Sequence, residues 1–258
     1  MSVDLYYREQ GAGEPLLILH GLFGSATNWG RIARDLAADY RVIVADLRNH
    51  GRSPHAPGMT YPEMAADVAA LAERAAPGRP LTLLGHSMGG KTAMRVALEY
   101  PHLVARLVVV DIAPRSYRGN QDTVLSALHH IDLSTLANRA AVDARLAQWL
   151  PDPALRAFLL TNLVQEQGAL RWRVNLPALK ASIGDIEDFP LPSAARFDGP
   201  VQFVAGRDSD YLEDGDPELI RQLFPRAEID WIDGADHWVH AARPEAFLTS
   251  LRRFLIGD

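Results

Sequence analysis

The sequence predicts an α/β fold with a mostly parallel sheet that is covered by helices on both faces. Short apolar runs alternate along the 258 residues with segments of helical periodicity. Several of these runs are continuously apolar, which is typical of strands buried on both faces. Strand–helix–strand units connect by right-handed crossovers, and repeating them gives a doubly wound sheet.

Six apolar runs are the clearest strand candidates. They are Leu16–Leu19, Arg41–Ala45, Leu81–Leu84, Leu107–Val110, Val201–Ala205 and Ile229–Ile232. Ligand sites of such sheets lie at the carboxyl ends of the parallel strands, so the residues that follow these runs are the first candidates for function.

Helices are predicted between the strands. The helix over Thr60–Ala76 begins with a capping box, in which Thr60 is followed three residues later by Glu63. A second helix is predicted over Met88–Glu99. The last helix follows Pro244 and has apolar residues at helical spacing.

The alternation of strands and helices is interrupted between Asp111 and Val201. No strand is predicted in this part of the chain, and the patterns there predict helices around 122–130, 135–150, 154–165 and 176–183. We interpret residues 115–195 as a helical insertion, a lid, within one domain that spans residues 1–258. The alternative, that the segment is part of the core, stays open.

The run Leu81–Leu84 leads directly into the pattern with the clearest chemical meaning. Gly85-His86-Ser87-Met88-Gly89 fits G-x-S-x-G between a strand and a helix. A serine at such a sharp turn has a strained backbone and a projecting hydroxyl, and larger residues two positions away would collide with the turn. The pattern therefore predicts that Ser87 is a nucleophile.

The same residues also fit a phosphate-binding loop. Gly85, followed after four residues by Gly90-Lys91-Thr92, matches the Walker A pattern. Such loops usually follow an early strand, whereas this one follows a middle strand. The NTPase alternative also leaves the remaining candidate residues without a role, so it is the weaker interpretation.

A nucleophilic serine needs a base and an acid that orients it. His237 follows the last predicted strand and is the best candidate for the base, with His240 as the alternative. Asp111 ends the strand after the nucleophile strand and is the preferred acid. Asp208 and Asp210 follow the next strand and remain open as the acid.

Two backbone N–H groups are needed to bind the oxyanion of an acyl-transfer reaction. The N–H of Met88, directly after the nucleophile, is the first candidate. The second is expected in the loop after Leu16–Leu19, where Leu22 is preferred over Phe23.

Seven segments together resemble one branch of the alpha/beta-hydrolase superfamily: HGLFGS, DLRNHGRSPH, GHSMGGKTAM, DIAP, LLTNLV, WRVNL and HWVHAARPE. This branch contains small bacterial acyl esterases and the mitochondrial alpha/beta-hydrolase domain-containing protein eleven. The resemblance implies the alpha/beta-hydrolase fold and hydrolysis of short- to medium-chain acyl esters or acyl-CoA thioesters without a cofactor. It implies that Asp111 is the acid and that Ser209 assists the histidine. Asp208, however, stands where the branch usually has Asn, which leaves the acid open.

Composition and charge limit the other functions. The net charge of −6, without runs of Lys or Arg, predicts no nucleic-acid partner. Apolar runs fall short of the ~20 residues of a membrane span. The sequence has no Cys, which excludes disulfides and thiolate metal sites. The start of the chain lacks the pattern of a signal peptide. We therefore expect a cytoplasmic monomer or small homo-oligomer with a small-molecule ester or thioester substrate and no metal.

Several alternative functions fit the same candidate residues. A Ser–His–Asp triad also serves carbon–carbon bond hydrolases, lactonases and perhydrolases, and a non-catalytic binding module is a further class. The loop over residues 46–53 is expected to be structural, although His50 within it could contact substrate. His129, His130 and Asp132 have poor spacing for a metal site and are expected to form an ordinary helix face.

Overall fold

The computed structural model describes residues 2–117, 119, 121–192 and 195–257. Its strands are β1 (Tyr7–Gln10), β2 (Glu14–Leu19), β3 (Tyr40–Ala45), β4 (Leu81–His86), β5 (Val104–Val110), β6 (Leu163–Glu166), β7 (Ala169–Trp172), β8 (Val201–Gly206) and β9 (Ala227–Ile232). Seven of them form a sheet in the spatial order β1-β3-β2-β4-β5-β8-β9. β1 pairs antiparallel with β3, and the other pairs of this sheet are parallel. The prediction of a mostly parallel, doubly wound sheet is confirmed.

The helices lie between the strands along the chain. They are α1 (Gly30–Leu36), α2 (Tyr61–Ala75), α3 (Met88–Glu99), α4 (Gln121–His129), α5 (Arg139–Leu146), α6 (Pro153–Leu159), α7 (Leu176–Ala181), α8 (Ile183–Glu187), α9 (Asp216–Leu223), α10 (Val239–Ala242) and α11 (Pro244–Ile256). The predicted capping box is present, because the Thr60 side chain accepts a hydrogen bond from the backbone N–H of Glu63. Each of the six predicted strands lies within an observed one.

The continuous apolar runs are explained by the two cores of the molecule. In β2, Leu17 and Leu19 point into a core that includes residues of α2 and α3. Leu16 and Ile18 point to the opposite face, where they pack in a second core with residues of α1 and α11. Since both faces of the strand are buried, both sets of side chains must be apolar.

The register of the sheet brings the loops of its middle strands together. His86 at the end of β4 pairs with Val110 at the end of β5, and Val110 pairs with Val204 of β8. Ser87 and Asp111 therefore leave the sheet side by side, at the edge where parallel sheets place their sites.

The insertion between β5 and β8 differs from the prediction most strongly after residue 154. The helix predicted over 135–150 is also shorter, as α5, and the one predicted over 176–183 is divided into α7 and α8. We predicted a helix over 154–165 and no strand, but α6 ends at Leu159 and β6 and β7 form an antiparallel hairpin. The connecting residues Gln167 and Gly168 both have positive φ, of 51° and 82°, which suits the twist of a tight hairpin. The turn has Gln-Gly instead of the usual Asn-Gly or Asp-Gly, so its local pattern is not a strong hairpin signal.

Residues 118, 120, 193 and 194 of the predicted lid lie outside the described residues. Within the described part of the chain, no helix combines the length and the apolar character needed to cross a bilayer.

Candidate active site

Ser87 occupies a strained turn between β4 and α3. Its backbone has φ 53° and ψ −121°, a conformation that residues other than glycine rarely adopt. The flanking glycines permit the turn: a Cβ on Gly85 would lie 2.1 Å from the carbonyl oxygen of Gly89, and a Cβ on Gly89 would lie 2.5 Å from that of His20. The steric reason given for the glycines of G-x-S-x-G therefore applies in this chain.

Asp111 and His237 form a direct pair beside this turn. His237 Nδ1 lies 2.7 Å from Asp111 Oδ2, and the aspartate is fully buried. Because a carboxylate only accepts hydrogen bonds, Nδ1 carries the proton and donates it to Asp111. The other ring nitrogen, Nε2, is then the basic one, as a general base requires.

The carboxylate of Asp111 is held by two further donors. Its Oδ1 accepts from the backbone N–H of Gly206 at 2.8 Å, and its Oδ2 accepts from the Ser209 hydroxyl at 2.5 Å. These bonds fix the carboxylate at the end of β8. Among the described contacts, the Ser209 side chain therefore bonds to the candidate acid Asp111 and not to the His237 ring.

The other candidates for base and acid are placed differently. Asp208 is exposed, and neither it nor Asp210 bonds to His237 among the described residues. His240 stacks on Trp29 with ring centroids 4.1 Å apart. Burial lowers the pKa of His240 to about 3, so this ring is neutral and forms part of the wall of the site.

His86, the residue before Ser87, holds the loop of His237. Its Nε2 lies 2.8 Å from the backbone carbonyl oxygen of His237, to which it donates. Burial lowers the pKa of His86 well below its ordinary value, so the ring stays neutral. Sequence analysis gave His86 no role, since the position between Gly and Ser in the G-x-S-x-G pattern accepts any residue.

The backbone N–H groups of Leu22 and Met88 have no acceptor among the described residues, whereas that of Phe23 has one. Phe23 N lies 3.2 Å from His50 Nε2, which accepts its hydrogen. The Phe23 N–H is thus occupied, and Leu22 stays the predicted oxyanion donor. Leu22 and Met88 both lie beside Ser87 in the wall of one cavity.

Two buried histidines support the loop that carries Leu22. His50 Nδ1 donates to the carbonyl oxygen of Arg48, and His20 Nε2 accepts from the N–H of Leu47 at 3.0 Å. Burial lowers the pKa of His20 to about 4 and that of His50 to about 3, so both rings are neutral at pH 7. His50 is fully buried and both of its ring nitrogens have partners, which contradicts the suggestion that it contacts substrate.

Tyr211 is a residue of the site that sequence analysis missed. Its ring stacks on the His237 imidazole with centroids 3.9 Å apart and an interplanar angle of 20°. Its backbone carbonyl accepts from the Tyr117 hydroxyl at 2.6 Å. Nothing in the local sequence distinguishes this tyrosine, because the stacking depends on where β8 and β9 place their loops.

Two cavities meet at Ser87. The larger has a volume of about 580 Å³ and a mostly apolar lining that includes Phe158, Trp238 and His237. The smaller has a volume of about 50 Å³ and is lined by residues that include Tyr61, Lys91 and Ile186. Four residues line both: Leu22, Ser87, Gln121 and Tyr211.

The structure argues against the phosphate-binding alternative. Lys91 Nζ donates to the backbone carbonyls of Glu187 and Asp188, at 3.0 and 3.1 Å, instead of facing the turn at Ser87. The Thr92 hydroxyl donates to the carbonyl oxygen of Met88 within the helix. Neither side chain is available for a phosphate or its magnesium ion.

No metal-ligand cluster of three or more His, Cys, Asp or Glu occurs in the described ranges. His130 of the His129–Asp132 segment stacks on Trp149.

This chain has the strand order and the sharp strand-to-helix turn of the α/β proteins that carry a nucleophile at such a turn. The family model described as alpha/beta hydrolase fold matches residues 14–244. The chain therefore belongs to the alpha/beta hydrolase fold family, and the resemblance read from the sequence is confirmed.

Curated relatives and a solved structure fall in the same branch. The chain is 41% identical over 265 residues to the sn-1-specific diacylglycerol lipase ABHD11 of Xenopus laevis, covering 99% of this chain and 83% of that protein. It is 35% identical over 249 residues to the esterase YbfF of Escherichia coli K12, covering 96% and 95% of the two chains. A solved marine microorganism esterase superposes with a TM-score of 0.95 at 37% identity, covering 98% of this chain and all of that one.

Proposed function

We propose that this protein is a serine hydrolase that cleaves short- to medium-chain carboxylic esters, and thioesters of the same acyl groups, through an acyl-enzyme. The observation that carries the proposal is the 2.7 Å contact between His237 Nδ1 and the buried Asp111 carboxylate, because His237 and Ser87 line the same cavity. The names of the relatives, an esterase and a lipase, support an ester substrate.

The proposed reaction has two halves. His237 Nε2 takes the hydroxyl proton of Ser87 while the Ser87 oxygen bonds to the acyl carbon, and the N–H groups of Leu22 and Met88 bind the oxyanion. The leaving alcohol or thiol then departs with the proton from His237. In the second half His237 takes a proton from water, the hydroxide attacks the acyl carbon, and the acid is released as Ser87 regains its proton. Asp111 orients the ring and stabilises its charged form.

The insertion between β5 and β8 is proposed to act as a lid over this site, within a single domain. Val124, Leu155 and Phe158 of this segment line the large cavity, whose wall also includes Ser87. An apolar cover of this kind excludes water and binds the uncharged part of an ester.

Hydrolysis of p-nitrophenyl esters by the wild type and by Ser87→Ala tests the proposal. Loss of the nucleophile is expected to lower kcat by at least about 10³-fold, in line with the non-additive effects of triad residues. Ser134→Ala is the matched control and is expected to keep the activity of the wild type, because Ser134 is exposed and lines neither cavity. Equal activity of Ser87→Ala and wild type would overturn the proposed mechanism.

A further inference from the structure

We propose that the small cavity beside Ser87 binds the acyl group and the large cavity binds the leaving group, so that the enzyme prefers short acyl chains on bulky apolar alcohols. The inference rests on the proposed function and adds the substrate class to it. It starts from the observation that the two cavities meet at Leu22, Ser87, Gln121 and Tyr211 but otherwise have different walls.

The position of His237 assigns the two cavities. His237 must give its proton to the leaving oxygen, so the alcohol part of the ester lies on the side of this ring. Among the described residues, His237 and its neighbour Trp238 line the large cavity and are absent from the wall of the small one. The alcohol leaves through the large cavity with the proton taken from Ser87, and the acyl group stays on Ser87 until water releases it.

The acyl chain must then extend from the reacting carbon in the direction that neither the alcohol nor the oxyanion takes. With the oxyanion directed at the N–H groups of Leu22 and Met88, this direction is the small cavity, whose wall includes both of these residues. Its volume of about 50 Å³ is less than a tenth of the 580 Å³ of the large cavity, so it suits the smaller part of the ester. We therefore assign acetyl to butanoyl chains to this cavity and expect longer chains to fit it less well.

The wall of the small cavity is held in place by buried hydrogen bonds, so it resists expansion. The Tyr61 hydroxyl donates to the carbonyl oxygen of Ile186 at 2.7 Å. Lys91 Nζ donates to the next two carbonyls, of Glu187 and Asp188, and lies 4.8 Å from the centre of the Tyr117 ring. These side chains fix the backbone that carries Ile186 into the cavity. Because Lys91 Nζ donates its hydrogen bonds to these carbonyls, Lys91 forms part of the cavity wall and does not bind the substrate.

The lining of the large cavity indicates the chemistry of the alcohol. Apart from its histidines and Tyr211, the described lining of the large cavity has one ionisable side chain, Asp236. It contains no Lys or Arg. Leu155, Phe158 and Trp238 provide apolar and aromatic surface. A bulky uncharged alcohol, aromatic or branched, therefore suits this cavity better than a phosphorylated one.

Two crossed ester series test the assignment. The first keeps p-nitrophenol and lengthens the acyl group from acetate through butanoate and hexanoate to octanoate. The second keeps acetate and enlarges the alcohol from ethanol to hexanol and 2-naphthol. We expect kcat/KM to fall about tenfold or more beyond butanoate, since misfit of even single methylenes in a close-fitting pocket has effects of this size. Enlarging the alcohol is expected to preserve or raise kcat/KM.

Ile186→Ala is the deciding variant, and Ile183→Ala is its matched control on the same helix. Ile186 lines the small cavity, whereas Ile183 lines neither cavity. We expect Ile186→Ala to raise the ratio of octanoate to acetate activity about tenfold. Ile183→Ala is expected to keep the ratio of the wild type. If Ile186→Ala does not fold, Ile186→Val gives a smaller shift in the same direction.

The outcomes separate this inference from the proposed function. Octanoate and acetate hydrolysed equally well by the wild type, with both activities lost in Ser87→Ala, would overturn the acyl assignment and leave the serine hydrolase intact. Equal shifts in Ile186→Ala and Ile183→Ala would also overturn it. Activity that persists in Ser87→Ala would instead reject the proposed function.

Discussion

The loops at the carboxyl ends of the central strands and the insertion between β5 and β8 line the same cavities but are held by different kinds of contact. The loops are tied strand to strand: Ser87 N–H donates to the carbonyl oxygen of Val110, and Asp111 N–H donates to that of Val204, both at 3.0 Å. The insertion is held by side chains of α2 and α3, such as Tyr61 and Lys91, that reach its backbone carbonyls. The positions of the candidate site residues thus depend on sheet register, and the shape of the cavities beside them depends on tertiary contacts.

The largest effect is expected at the strand ends. Asp111→Asn replaces the acceptor of the His237 Nδ1–H by an amide that can present a donor there, which favours the wrong tautomer of the ring. We expect kcat for p-nitrophenyl acetate to fall by about 10³- to 10⁴-fold. Asp208→Asn is the matched control and is expected to stay within about twofold of wild type, because surface changes away from such networks have small effects. A comparable loss in Asp208→Asn would transfer the role of the acid to Asp208.

This difference between the two regions explains what could be predicted from the sequence. Ser87 and His237 could be proposed as candidates because their motifs follow strands, and the carboxyl ends of parallel strands converge. Asp111 could be preferred as the acid, but Asp208 could not be excluded from that role, since both residues follow strands. Only the side-chain contacts at 2.7 Å and 2.5 Å bring Asp111 together with His237 and Ser209.

The insertion was predicted less well, for the same physical reason. Its helices are short and the hairpin of Leu163–Glu166 and Ala169–Trp172 lacks a strong turn signal, so local propensity does not determine its structure. The contacts of Tyr211 with His237 and of Lys91 with Glu187 join residues distant in sequence. No local pattern could have revealed them.

The second prediction concerns Lys91, which holds the insertion to α3. Burial lowers the pKa of Lys91 from its ordinary 10.5 to about 7. Between these two values the unfolded chain binds a proton that the folded chain does not, so raising the pH stabilises the folded state. The free energy of unfolding of the wild type relative to Lys91→Met is expected to rise between about pH 7 and 9, by at most roughly 1.4 kcal/mol per pH unit. Below about pH 7 the difference is expected to be constant.

Urea denaturation of both proteins at several pH values measures this dependence. The only other lysine of the sequence, Lys180, is exposed on α7, and Lys180→Met provides the control. We expect its difference from wild type to be independent of pH in the same window. A flat difference for Lys91→Met would mean that Lys91 stays charged in the folded protein and that its contacts with the carbonyls of Glu187 and Asp188 fully compensate its burial.

The smallest effect is expected at Tyr211, which belongs to both regions. Its ring stacks on His237 at the strand ends, and its carbonyl accepts from Tyr117 of the insertion. An aromatic face stabilises a cation by about 1 kcal/mol, so Tyr211→Leu is expected to lower kcat roughly fivefold, because the imidazolium that forms during the reaction loses this partner. Tyr211→Phe keeps the ring and is expected to retain most of kcat for p-nitrophenyl acetate. Equal losses of kcat in the Leu and Phe variants would show that the hydroxyl of Tyr211, and not its ring, supports the reaction.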